Sequence, residues 1–147
     1  GLVMIIPYFI ALCAMIAWGR HSDRTGERIW HAALPPIVGG IALAAAGLLP
    51  IPLLAFILII IATVGIYCEF GPFWTLPAVF LAEAAAAVGI AVINSVGNLG
   101  GFIGPSLVGS LTKATGSTNA GLVAIGLCLI LCGLLTLAVR NTRRTGA

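Results

Sequence analysis

Five long apolar stretches dominate the sequence and limit what the chain can fold into. They cover residues 2–19, 32–49, 53–78, 84–111 and 120–139. A helix needs about 20 apolar residues to cross the roughly 30 Å hydrocarbon layer of a bilayer, and each stretch is long enough or nearly so. The sequence therefore predicts that residues 1–147 form an all-α, polytopic transmembrane helix bundle of about five spans.

The composition argues against a domain dissolved in water. Of the 147 residues, 61% are hydrophobic and 7% are charged, whereas a soluble domain carries roughly 25% charged residues. So few charged side chains cannot cover a surface that faces water, but a surface that faces lipid does not need them. The many alanines and glycines are typical of closely packed membrane helices.

The basic residues predict how the bundle is oriented. Six of the seven Lys and Arg residues lie in two clusters, one in the loop 20–31 and one in the tail 140–147. Four predicted spans separate these clusters, so both lie on the same side, which the positive-inside rule makes cytoplasmic. We therefore expect a multi-pass membrane protein with its C-terminus in the cytoplasm and its N-terminus outside. Neither cluster is interleaved with aromatic residues in the manner of a nucleic-acid-binding surface.

The sequence contains no constellation of residues typical of an enzyme, a metal site or a cofactor site. Paired carboxylates, a Ser-His-Asp arrangement and a phosphate-binding loop are all absent from it. His21 and His31 fall in the predicted loop, where we expect them to be solvated. The cysteines all fall in apolar runs and are expected to be small packing residues: Cys13, Cys68, Cys128 and Cys132.

The predicted loop and the residue before it carry alternating charges between two glycines. Residues 19–28 read Gly-Arg-His-Ser-Asp-Arg-Thr-Gly-Glu-Arg. The glycines would permit tight turns, and the charges would permit a local salt-bridge network at the membrane face. Asp23 could alternatively face the positive end of a helix.

Proline and glycine are expected to interrupt the third and fourth spans. Pro72 and Pro77 should break the third helix, because proline removes a helical hydrogen bond and clashes with the preceding turn. In the fourth span, Gly97 and Gly101 form a small-xxx-small pair, which favours close helix crossings. Two interpretations remain open: packing alone, or a helix that bends or slides during a conformational cycle.

Polar residues within the spans are candidates for function. Glu69 lies near mid-depth, where an ionised carboxylate is costly; it could take up a proton, pair with a cation, or stay protonated without a role. Trp74 could offer its N–H to a ligand or anchor the helix at the interface. Asn94 and Asn98, on one helix face beside Ser95, could bind a polar ligand or a partner helix.

Three segments resemble a known family. Residues 19–28 are similar to the conserved cytoplasmic-loop signature of the major facilitator superfamily, in the copy between its helices eight and nine. Residues 71–77 and 84–102 resemble helices ten and eleven of its anion:cation symporter branch. The most specific part is the run Asn-Ser-Val-Gly-Asn-Leu-Gly-Gly, which starts at residue 94. Members of this branch carry organic anions such as sugar acids, tartrate and phthalate, typically with protons.

The resemblance implies a larger transporter with a substrate site between two six-helix halves. The chain would supply helices eight to twelve, and its partners would be the N-terminal half, the lipid bilayer, protons and a small organic anion. Trp74 and Asn94 would line the cavity, with Ser95 and Asn98 beside them. The branch's main coupling acids would lie in the other half, so Glu69 has no role assigned by the resemblance. The inward gate would be formed by Gly19, Asp23, Arg24, Gly26 and Arg28.

These features together predict part of a secondary transporter that moves an organic anion by proton-coupled alternating access. The residues alone leave another interpretation open. A small membrane protein could associate with copies of itself through the glycine-rich fourth helix and act as a pore or a scaffold.

Overall fold

The described part of the chain is almost entirely helical. The structure, a computed structural model, describes residues 2–145, except for the side chains of residues 83, 84 and 140–145. A short 3-10 turn at Leu2–Met4 precedes five helices, each long and apolar enough to cross a membrane. This confirms the predicted all-α bundle of five spans. The helices are α1 (Ile5–Thr25), α2 (Ile29–Leu48), α3 (Pro52–Phe80), α4 (Glu83–Thr115) and α5 (Asn119–Thr145).

Most of the predicted loop 20–31 is helical instead. α1 continues to Thr25 and α2 begins at Ile29, so only residues 26–28 connect the two helices. Gly26 ends α1 with a φ of 67°, in the left-handed region that glycine adopts without strain, and its N–H donates to the Ser22 carbonyl at 3.0 Å. Gly19 lies inside α1 and makes no turn. The first apolar run therefore predicted the membrane span correctly but not the residue at which α1 ends.

The prediction that prolines break the third helix is wrong. α3 continues past Pro72 and Pro77 to Phe80. Both prolines are buried in the bundle. Packing against neighbouring helices can hold a membrane helix together where a proline removes a backbone hydrogen bond. The two prolines therefore do not end α3, although their presence in the sequence predicted that they would.

α2 lies at the centre of the bundle. It packs most extensively against α5 and α3, while α1 packs along α3. Glycines allow these close approaches: a Cβ added to Gly40 would lie 2.5 Å from the carbonyl oxygen of Gly126 on α5. A Cβ added to Gly65 on α3 would lie 2.5 Å from the Pro35 carbonyl oxygen and 2.8 Å from the Cα of Gly39. Larger residues at these positions would push the helices apart.

α4 lies at the edge of the bundle with few neighbours. It contacts α5 and, less extensively, α3, and most of its surface is accessible. Cβ atoms added to Gly97 and Gly101 would meet no atom within 4 Å. Within the described residues, then, this glycine pair makes no close helix crossing. The packing expected of it is found instead between α2 and its two neighbours.

Candidate functional site

The end of the bundle that carries Arg20, Arg24 and Arg28, here called the basic end, holds a polar network. The Arg28 guanidinium is ion-paired with Asp23 and also donates to Ser22 Oγ at 3.2 Å. Ser22 Oγ in turn donates to the Glu27 carbonyl at 3.1 Å. Ser22 is fully buried, so the network holds the short connection 26–28 against the last turn of α1.

The expected gating residues therefore have different positions at this end. Asp23 and Arg28 form the local salt bridge that the alternating charges predict, and Gly26 makes the turn between them. Arg24 is exposed in the last turn of α1, and Gly19 lies more than a turn earlier in the same helix. The structure thus brings three of the five residues into one network.

The expectation that both histidines are solvated loop residues is wrong. His21 lies in α1 and His31 lies in the first turn of α2, where it is only 7% exposed. His21 Nδ1 and His31 Nε2 are hydrogen-bonded at 2.7 Å. The Trp18 ring lies against both imidazoles, with centroid distances of 4.9 Å to His31 and 6.3 Å to His21. The i,i+3 spacing of Trp18 and His21 could have indicated that the two rings lie on one helix face. The sequence analysis missed this contact because it assigned His21 to a loop.

Glu69 faces α5 from the middle of α3. It lies about 26 Å along the helix from Pro52 and about 16 Å from Phe80, at 1.5 Å per residue. The side chain is half-buried, and its Oε1 accepts a hydrogen bond from Cys132 Sγ at 3.5 Å. Among the described side chains, no Lys, Arg or His forms an ion pair with it. Cys132, expected to be a packing residue, is therefore also a partner of the intramembrane carboxyl group.

The expected substrate residues lie on two different helices. Trp74 is half-buried on α3, and its ring contacts Phe73 with centroids 5.5 Å apart. Asn94, Ser95 and Asn98 are exposed on α4, where Ser95 Oγ donates to the Ala91 carbonyl at 2.8 Å. No hydrogen bond between described side chains joins Trp74 to these residues. The two amides nevertheless share one accessible helix face.

Comparison with protein families identifies the fold. The family model of the Major Facilitator Superfamily matches residues 1–105, which include α1, α2, α3 and most of α4. The chain belongs to the Major Facilitator Superfamily. The resemblance of residues 19–28 is thereby confirmed, and the chain is a multi-pass membrane protein. The superfamily consists of transporters, so the prediction that the protein is not an enzyme is also confirmed.

Individual relatives extend the match to nearly the whole chain. A protein of Agrobacterium vitis named as a tartrate transporter is 45% identical, over 97% of this chain and 32% of its own length. The metabolite transport protein NicT of Pseudomonas putida is 40% identical over 95% of the chain and 32% of its own length. RhmT, an inner membrane transport protein of Escherichia coli, is 34% identical over 97% of the chain and 33% of its own.

The chain spans about a third of the length of these curated relatives. No solved structure matches it. About two thirds of the length of each relative lies outside the matched region. The helix α4, with its accessible face, belongs to the matched region.

Proposed function

We propose that the chain is the C-terminal part, helices eight to twelve, of a secondary transporter of the anion:cation symporter branch. The transporter moves an organic anion, such as a sugar acid, tartrate or phthalate, across the inner membrane together with protons. The main support is the 45% identity, along nearly the whole chain, to a protein named as a tartrate transporter. The accessible length of α4 also fits a helix that faces a second half of a larger protein.

The substrate site would be built on α3 and α4. Asn94, Ser95 and Asn98 present amide and hydroxyl groups on an accessible face, and Trp74 adds an indole N–H. Amide and indole N–H groups donate hydrogen bonds, and the oxygens of a carboxylate accept them. The remaining wall of the cavity, including the positive charge that an anion requires, would come from the missing N-terminal half.

The basic end would act as the cytoplasmic gate. The Asp23–Arg28 ion pair and the turn at Gly26 fix the connection 26–28, while Arg24 is exposed and can reach a neighbouring half. Gly19, inside α1, would complete the gate. Alternating access would then make and break contacts at this surface. In this proposal this end and the tail would lie in the cytoplasm and the N-terminus outside, as the positive-inside rule predicts.

Glu69 would carry a proton during transport. Its carboxyl group lies in the middle of a membrane helix, with a thiol as its hydrogen-bond donor and no described basic partner. Such a group is costly as a bare charge in the membrane, so binding and releasing a proton is the chemistry that its position favours. A co-transported proton offsets the charge of an anion that must enter against a negative interior.

Uptake into proteoliposomes tests this function. The complete transporter is reconstituted and offered labelled tartrate, a sugar acid, phthalate and a neutral sugar, with and without an inward proton gradient. We expect one of the acids to accumulate when the gradient is present, and the accumulation to collapse when a protonophore is added. The proposal would be rejected if none of the acids were taken up, or if uptake were the same with and without the proton gradient.

A further inference from the structure

Four aromatic side chains lie together on α1 and α3. The Tyr8 ring of α1 meets the Tyr67 ring of α3 edge to face, with centroids 5.9 Å apart and an interplanar angle of 87°. The Tyr67 ring contacts Phe70 in the same manner, at 5.9 Å and 67°. Trp74 follows Phe70 by about one helical turn. We call Tyr8, Tyr67, Phe70 and Trp74 the aromatic face.

The aromatic face is turned away from the contact between α3 and α2. Gly65 marks that contact, because a Cβ added to it would meet the Pro35 carbonyl oxygen of α2. Successive residues of a helix are about 100° apart, so the three aromatic residues of α3 lie about 140–200° around the helix from Gly65. Phe70 is accordingly exposed, while Tyr67 and Trp74 are half-buried. These rings therefore cover an open side of α3 and do not fill its packing against α2.

Tyr67 and Phe70 lie too deep to anchor α3 at a membrane surface. Trp and Tyr are enriched where a helix passes from hydrocarbon to water. Tyr67, however, is about 22 Å along α3 from Pro52 and about 20 Å from Phe80, at 1.5 Å per residue. Phe70 lies less than one turn beyond it. Both rings are thus near the middle of the span, where an interfacial anchor has no use.

The aromatic face also carries polar groups that are free to bind. Within the described structure, neither the hydroxyls of Tyr8 and Tyr67 nor the indole N–H of Trp74 makes a hydrogen bond. In Tyr67 and Trp74 these polar atoms are accessible, not enclosed. Tyr and Trp usually find a partner for such groups when they are buried. Three hydrogen-bond donors are therefore available to a molecule that covers the face.

We propose that the aromatic face binds the ring of an aromatic carboxylate, so that the transporter prefers aromatic acids to aliphatic acids of equal charge. This assignment rests on the proposed function, which puts Trp74 at the substrate, and it adds Tyr8, Tyr67 and Phe70 to the site. Aromatic rings attract one another at centroid distances of about 4.5–7 Å, the range in which the rings of the face already contact each other.

The chemistry of the face suits an aromatic acid better than an aliphatic hydroxy acid. An aromatic acid carries its carboxylate at the rim of a flat ring, where phenol and indole groups can donate to it. Its ring then packs on Phe70 without placing a polar atom there. The hydroxyl groups of an aliphatic acid would lose hydrogen bonds to water against the same ring, and an unpaired polar group is costly to bury.

Uptake of phthalate and of its saturated analogue, cis-hexahydrophthalate, by the complete transporter tests the proposal. The two dianions have the same carboxylates and similar size, but only phthalate has an aromatic ring. We expect the ratio of maximal rate to half-saturating concentration to be about tenfold higher for phthalate. Equal ratios, or uptake of tartrate without uptake of phthalate, would overturn this inference and leave organic-anion transport standing. Uptake of no acid at all would reject the proposed function and the inference with it.

Substitutions on α3 identify the rings that cause the preference. Tyr67→Leu and Phe70→Leu should each lower the preference for phthalate about threefold, and the double variant should abolish it. The preference is a ratio within one preparation, so it does not depend on the amount of folded protein. Tyr67→Phe keeps the ring and should keep the preference, while uptake of both acids falls about tenfold with the lost hydroxyl. An unchanged preference in the double variant would contradict the assignment.

Phe9 provides a matched control on α1. It is an exposed aromatic residue next to Tyr8 in sequence and makes no ring contact in the described structure. α1 packs mainly along α3, and Phe9 lies about 200° around the helix from the buried Pro7. Phe9→Leu should therefore leave the preference for phthalate unchanged. If it reduced the preference as much as Tyr67→Leu does, the aromatic face would not be its source.

Discussion

The indole N–H of Trp18 donates a hydrogen bond to the backbone carbonyl of His31 at 2.9 Å. That carbonyl would ordinarily accept from the backbone N–H four residues later in α2, but residue 35 is proline, which has none. A side chain of α1 therefore replaces the donor that α2 lacks. The same indole lies against the rings of His21 and His31. Trp18 therefore contacts both the carbonyl that lacks its backbone donor and the two hydrogen-bonded histidines.

Trp18→Phe should destabilise the protein by leaving this buried carbonyl without a partner. Phenylalanine keeps most of the ring contact but has no N–H, and the expected loss is about 1–3 kcal/mol in the free energy of unfolding. Pro35→Ala restores the backbone donor, so the double variant should recover part of that loss. Unfolding of all three variants in mixed detergent micelles provides the measurement. Equal losses with and without Pro35→Ala would show that the hydrogen bond is not the cause.

Two glycines of α3 should respond in opposite ways to the same substitution. Gly65→Ala forces a Cβ against the backbone of α2, and such overpacking costs about 1–3 kcal/mol. Gly71→Ala meets no atom within 4 Å and should be neutral or should stabilise the helix by up to about 1 kcal/mol. The same unfolding assay compares them. Similar stability of the two variants would contradict the packing of α2 on α3.

The sequence predicted the features that depend on burial in lipid, such as the number of spans. It missed features that depend on contacts between helices. The apolar runs predicted five spans because each helix must be covered by lipid along its length. They did not predict that α1 continues to Thr25, since polar residues outside the hydrocarbon can remain helical. The effect of Pro72 was also misjudged, because its neighbours, not its own segment, decide whether the helix continues.

The candidate site divides in the same way. The Asp23–Arg28 pair could be predicted because both residues lie within one short segment of alternating charge. The contact of His21 with His31 and that of Glu69 with Cys132 could not, because each joins two helices whose relative rotation the sequence does not state. The roles of Trp74 and Asn94 rest on resemblance and remain predictions.

Glu69→Gln should uncouple transport from the proton gradient in the complete transporter. The amide keeps the size of the side chain but cannot bind and release a proton at neutral pH. Exchange of labelled for unlabelled anion should persist, while accumulation driven by the gradient should fall to the level seen without it. Cys132→Ala, which removes only the thiol donor, should retain driven accumulation within about tenfold. Accumulation by Glu69→Gln at the unaltered level would exclude Glu69 from coupling.

The 147-residue chain by itself should not transport. The accessible face of α4 needs a partner to enclose a substrate, and this chain covers about a third of the length of its relatives. Reconstituted alone, it should show no uptake above that of empty liposomes, and it should aggregate in mild detergent. A discrete homo-oligomer in a size measurement would instead support the pore or scaffold, and measurable uptake would overturn the proposed division of the cavity.

The most direct test of the proposed transport site is the uptake efficiency of Asn94→Ala in the complete transporter. Loss of a hydrogen bond to a charged substrate should lower the ratio of maximal rate to half-saturating concentration by about tenfold to a hundredfold. The same change at Asn119, at the start of α5, serves as the matched control and should have little effect. Uptake kinetics of Asn94→Ala that equal those of the unaltered protein would contradict the account.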